Sequence, residues 1–140
     1  MKPPTYIMRT AIKRKKRVDK GPFSLYWRDK SDVLFAKLIK KRAGNRCEKC
    51  GLRGRMEVHH LIKRNVMRTR CAVKNGICLC SLCHGSGIGA AHSTHGNELF
   101  LNWVKCSSFG RYQWVIDHQH DSGRVDWQET FEELRRLINE

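Results

Sequence analysis

Cys47-Glu48-Lys49-Cys50-Gly51 and Cys80-Ser81-Leu82-Cys83-His84 bracket the stretch on which the fold turns. Between them lie Val58-His59-His60-Leu61-Ile62 and Asn75. Two C-x-x-C knuckles separated by 29 residues have the spacing of four thiolates, Cys47, Cys50, Cys80 and Cys83, converging on one tetrahedral zinc ion. A structural zinc site requires neither a histidine pair nor an asparagine, so these extra residues are where function is to be sought.

Seven cysteines are an odd number, and four of them fall into the two knuckles, which makes a disulfide framework the weaker reading. Cys71, Cys78 and Cys106 are left over and are expected to pack as small apolar residues. The 140 residues fit one domain with an N-terminal extension. Lys and Arg number 28 against 13 Asp and Glu, a net charge of +15, which points to a polyanionic partner. No apolar run reaches the length of a bilayer span and no signal peptide precedes the basic start, so a soluble, intracellular, cytoplasmic protein is expected.

Outward from the knuckles, residues 1–30 form a basic arm that includes Lys13, Arg14, Lys15, Lys16 and Arg17, suited to phosphate contacts without sequence readout. Phe23, Tyr26 and Trp27 would tack its end onto the core. Ser31 and Asp32 resemble an N-cap and first-turn acid for a helix running to about Arg42, with Leu34, Phe35, Leu38 and Ile39 on one face and Gly44 as its stop. Met56 to Ile62 has the pattern of a short strand, which sends His59 and His60 to opposite faces.

Residues 63–74 suggest a basic loop, and Arg64, Arg68 and Arg70 in it are candidates for clamping a duplex as well as for plain solvated charges. Asn75-Gly76 is a turn signal and Ile77 to Leu79 the returning strand. The second knuckle leads into a helix that Gly85, Gly87 and Gly89 would shorten or distort. Helices are expected again near 97–104 and from about Trp127 to Asn139, with the type of the Tyr112–Ile116 segment open. Trp103, Trp114 and Trp127 sit at core spacing.

Cutting a phosphodiester requires a base for the attacking water and positive charge at the phosphate and leaving oxygen, which a neutral histidine and one divalent ion can supply. The order C-x-x-C, His-His at a strand end, Asn fifteen residues after the second His, then C-x-x-C-His nine residues beyond the Asn resembles the HNH endonuclease family. The likeness is close over residues 47–84 and looser over 31–42 and 92–104, in the manner of phage-encoded HNH proteins. It implies an α+β fold: a zinc-stapled ββα-metal core within residues 31–140, flanking helices over 97–139, and an intracellular setting in a bacterial host.

The resemblance further implies that His60 is the general base, that Asn75 fixes the loop and orients His60, and that His59 and His84 hold a catalytic metal. Cys47, Cys50, Cys80 and Cys83 would bind a separate structural Zn²⁺. The implied partner is DNA, duplex or branched, and the implied reaction is metal-dependent nicking or double-strand cleavage. Some members place a third metal-binding histidine one helical turn beyond the position of His84, where this chain has Ile88. Two protein ligands alone would suit Mg²⁺ or Mn²⁺. His92 and His95 could join only if the glycines fold the chain back, an exposed loop histidine being the commoner case. A non-catalytic zinc-finger module, binding nucleic acid in a recombination or packaging assembly, is the alternative; it has no use for His60 and Asn75 in this register.

Overall fold

From Leu25 to Arg42 the chain contains neither proline nor glycine and is rich in leucine, lysine and arginine, all good helix formers. It forms one helix, α1 (Leu25–Arg42), in the structure, a computed structural model that describes residues 17–92 and 96–140, with the backbone alone described at 96 and 97. Lys13 to Lys16 and His95 lie outside the described residues. The described chain is mixed α+β, continuing with β1 (Met56–His60), β2 (Gly76–Cys80), α2 (Gly96–Ser107), α3 (Phe109–His118) and α4 (Trp127–Asn139).

The start of α1 corrects the expected cap. Ser31 lies in mid-helix, fully buried, and its hydroxyl donates to the carbonyls of Trp27 (2.8 Å) and Trp127 (3.2 Å). Its small side chain lets the first turn of α4 approach, an inter-helix contact that mimics a cap in sequence. Asp32 pairs with Arg70 at 2.6 Å instead of capping anything. Residues 25–30 therefore belong to α1 and not to the arm. Trp27 does anchor the preceding chain, donating from Nε1 to the Lys20 carbonyl at 3.0 Å and packing on Phe131 of α4. The helix stops as expected, with Gly44 and Asn45 at φ 61° and 52° and Asn45 N–H returning to the Lys40 carbonyl.

β1 and β2 form a two-stranded antiparallel ribbon in which His60 stands opposite Gly76, His59 opposite Ile77 and Met56 opposite Cys80. Every residue of β2 is buried, because α1 covers one face through Phe35 and Ile39 while the first knuckle closes its free edge. That edge is closed by Glu48, whose N–H donates to the Cys78 carbonyl and whose carboxylate accepts from the Cys78 N–H at 2.6 Å. Arg42 and Arg111 neutralise Glu48 from either side, at 3.2 and 3.1 Å.

Gly76 is not the turn residue that Asn75-Gly76 suggests. Its backbone is extended, and a Cβ there would lie 2.5 Å from Ile39 Cγ1 and 2.7 Å from Phe35 Cζ. The glycine is needed for close approach of the ribbon to α1. The loop between the strands contains 3₁₀ turns at Met67–Thr69 and Val73–Asn75. After β2, Leu82–Ser86 forms a single π-helical turn instead of a regular helix, as the following glycines foreshadow.

Segment 112–116 resolves as part of α3, whose Trp114 stacks on His118 (centroids 4.8 Å apart) and does not join the core. Trp127 is buried and Trp103 packs against the core. Cys71 and Cys78 are buried as expected, and burial pushes the Cys71 thiol up to about 12; Cys106 is exposed, contrary to expectation. α4 matches its expected span, with Asp126 accepting from the Glu129 N–H as N-cap. No helix among the described residues is long and apolar enough to cross a membrane.

Candidate metal centre and histidine pocket

The two knuckles bring Cys47, Cys50, Cys80 and Cys83 together with their sulfurs within 4.8 Å of one another. Cys50 Sγ and Cys80 Sγ are 3.7 Å apart. Thiolates bound at ~2.3 Å around a tetrahedral ion stand about 3.8 Å apart, so the cluster has the dimensions of a zinc site. Gly51, at φ 77°, allows the tight turn that returns its N–H to the Cys47 carbonyl. Burial works to raise the Cys47 thiol, but N–H groups of Cys50, Cys80 and Lys49 outweigh it and bring the group down to about 7. Burial and the neighbouring sulfurs push the Cys83 and Cys50 thiols up instead, so an ion binding here would displace their protons.

On the far side of the ribbon a second cluster forms from His59, His84 and His92, whose ligand nitrogens also lie within 4.8 Å of one another. His59 Nδ1 and His92 Nε2 are 3.2 Å apart. Two imidazole nitrogens at ~2.1 Å from one ion are separated by roughly 3.0–3.4 Å, so the pair has the spacing of co-ligands. The cluster therefore offers three candidate ligands, one more than the two expected from sequence. His92 reaches it because the π-helical turn and the glycines after it double the chain back, with Ala91 N–H bonding to the Cys83 carbonyl and His92 N–H to the His84 carbonyl, both at 3.0 Å. Ile88, at the helical-turn position, points into solvent and is 98% exposed. The sequence signal for His92 was the Gly85, Gly87, Gly89 series itself.

Burial first, then the neighbouring imidazoles of His92, His84 and His60, hold His59 down at about 3. The ring is neutral at pH 7 and its lone pair is free for a metal. His84 uses Nδ1 to contact Glu57 Oε2, which leaves Nε2 for an ion.

His60 leaves β1 on the opposite face and stacks on Phe35 of α1, ring centroids 5.0 Å apart. It nevertheless forms part of the wall of an open pocket of about 630 Å³ that also exposes His59, His84, His92 and Arg64. Burial and the Arg64 charge lower the His60 pKa below 6.5; the Arg70 backbone and Asp32 act the other way and are outweighed. Its Nε2 is buried, with no close hydrogen-bond partner among the described residues.

Asn75 is fully buried and spans the loop: its Oδ1 accepts from Ile62 N–H at 2.6 Å, and its Nδ2 donates to the carbonyls of Ile62 and Thr69. Its own carbonyl accepts from Leu61 N–H. Asn75 thus fixes the chain just after His60 through the backbone.

The three loop arginines separate. Arg64 is exposed at the pocket, Arg68 lines a different hollow against α4, and Arg70 is committed to Asp32 through two hydrogen bonds of 2.8 and 2.6 Å. Arg70 is therefore a tie between loop and α1, not a solvated loop charge. Arg17 is exposed. No family model, curated protein or solved structure matches the chain.

Proposed function

We propose that the protein is a metal-dependent HNH-type endonuclease that hydrolyses DNA phosphodiester bonds at the His59–His84–His92 pocket. The observation that carries this reading is the convergence on one open pocket of a three-imidazole metal site, the half-buried His60 and the cationic Arg64. A non-catalytic zinc module would need the four cysteines and the surface charge, but not that convergence.

His59, His84 and His92 would hold a divalent ion, which when bound supplies Lewis acidity to the phosphate and its leaving oxygen. Three imidazole ligands favour a transition metal such as Zn²⁺ or Ni²⁺ over Mg²⁺, whereas Mg²⁺ or Mn²⁺ suits the two-histidine site expected from sequence. His60, kept neutral by burial, accepts the proton of the attacking water. Its Nε2 is sealed off from solvent, which leaves Nδ1 for that proton. Arg64 on the rim holds the phosphate and disfavours a second positive charge on His60. Asn75 keeps the loop closed behind the base. The net charge of +15 supplies sequence-independent affinity for the polyanion. The separate cysteine cluster would hold a structural zinc that staples the knuckles over β2.

The test is cleavage of supercoiled plasmid in lanes with EDTA, Mg²⁺, Mn²⁺, Zn²⁺ or Ni²⁺, for the wild type and His60→Ala. The expected result is metal-dependent nicking or linearisation that falls by about 10²–10⁴ in the variant with its melting temperature retained. Plasmid binding without cleavage in every metal would leave only the zinc-module reading.

A further inference from the structure

His84 sits on the least regular part of the pocket, the π-helical turn Leu82–Ser86, with Gly85, Gly87 and Gly89 close behind it. Backbone of this kind does not define a ring orientation by itself. β1 is regular, and alternate side chains leave the same face of a strand. Glu57 and His59 share that face: His59 delivers a ligand nitrogen to the cluster, and Glu57 reaches His84 Nδ1 through its Oε2.

A carboxylate on Nδ1 demands a proton there, and that leaves the Nε2 lone pair for an ion. The His84 ring then meets His59 and His92 edge-on, at centroid separations of 5.3 and 4.7 Å. Glu57 itself is outside the three-nitrogen cluster. Its side chain is 43% exposed, and it is not part of the hydrophobic core among the described residues.

We infer that Glu57 is a positioning residue for the metal site, a carboxylate that fixes the tautomer and orientation of His84 from the strand that also supplies His59. The inference rests on the proposed metal-binding role of the three histidines. One short strand thereby provides a ligand and the brace for a second ligand carried on irregular backbone. Outer carboxylates of this sort raise the basicity of the ligating imidazole, and losing one weakens metal binding by roughly 10–100-fold.

The experiment compares wild type, Glu57→Gln and Glu57→Ala, each with its four-cysteine site loaded with zinc, by calorimetric titration with Zn²⁺ and by the weak d–d absorption of Co²⁺. Long-range ¹H–¹⁵N spectra report the His84 tautomer in parallel. Glu57→Ala is expected to weaken the second site by about 10–100-fold and to lose the fixed Nδ1–H form of His84, while Glu57→Gln, which keeps an acceptor but no charge, falls between. Equal affinity in all three proteins, or an unchanged His84 tautomer in Glu57→Ala, overturns the inference and leaves the metal site standing. A wild type that takes up no ion beyond the cysteine-bound zinc overturns the metal site itself, and the inference with it.

Discussion

His59 Nδ1 and His92 Nε2 face each other across 3.2 Å although 33 residues separate them in sequence. Neutral imidazoles that close share at most one proton, and in a tetrahedral or octahedral site both lone pairs instead meet an ion. His92→Ala should therefore weaken the second metal site by 10-fold or more, while Ile88→Ala, at the helical-turn position where the family resemblance would look for a ligand, should leave it unchanged. Calorimetric titration of the two variants decides the matter; equal affinities would remove His92 from the ligand set.

His92 also shows where sequence and structure part. The cysteine knuckles are legible because C-x-x-C is local: the spacing alone makes a turn around one ion. α4 is legible for a similar reason, with Trp127, Phe131, Leu134 and Ile138 at helical period. His92 is not, since its place depends on a glycine-rich doubling back that no helical period describes. Ser31 and Asp32 mislead in the opposite way. Their pattern is that of a helix start, and only α4 and Arg70, far along the chain, reveal them as an inter-helix hydroxyl and an ion pair.

Gly76 faces the side chains of Phe35 and Ile39 so closely that an added methyl would lie 2.5–2.7 Å from three of their carbons. Both side chains are fully buried and have no room to retreat. Gly76→Ala should cost about 1–3 kcal/mol by overpacking, read as a lower urea midpoint. Because His60 lies opposite Gly76 and stacks on Phe35, the same variant should lower cleavage by displacing the base. Unchanged stability would mean that ribbon and α1 are not in this contact.

Asn75 satisfies one N–H and two carbonyls, and the residues that own them, Ile62 and Thr69, are buried. Asn75→Ala removes the side-chain partner of the Ile62 N–H and carbonyl, away from bulk water, and leaves the Thr69 carbonyl with the Ala72 N–H alone. The expected loss is about 2–4 kcal/mol of unfolding free energy, several times that of an exposed polar truncation. Chemical denaturation of the zinc-loaded protein measures it; a loss under 1 kcal/mol would mean that the loop finds other partners.

Arg64 and His60 are coupled by charge, and the sign of that coupling can be tested through the rate. Burial and the Arg64 guanidinium both disfavour the imidazolium, so His60 titrates below 6.5. A base works only when deprotonated, so single-turnover cleavage at saturating DNA should rise with pH through a midpoint below 6.5 and then level off. Arg64→Gln removes one source of repulsion, which stabilises the imidazolium and moves the midpoint upward. At mildly acidic pH the variant should therefore lose more rate than it loses on the plateau, where His60 is neutral in both proteins. If Arg64 acted only as a phosphate contact, the variant would lose the same factor at every pH, because a lost contact does not change the fraction of His60 able to accept a proton.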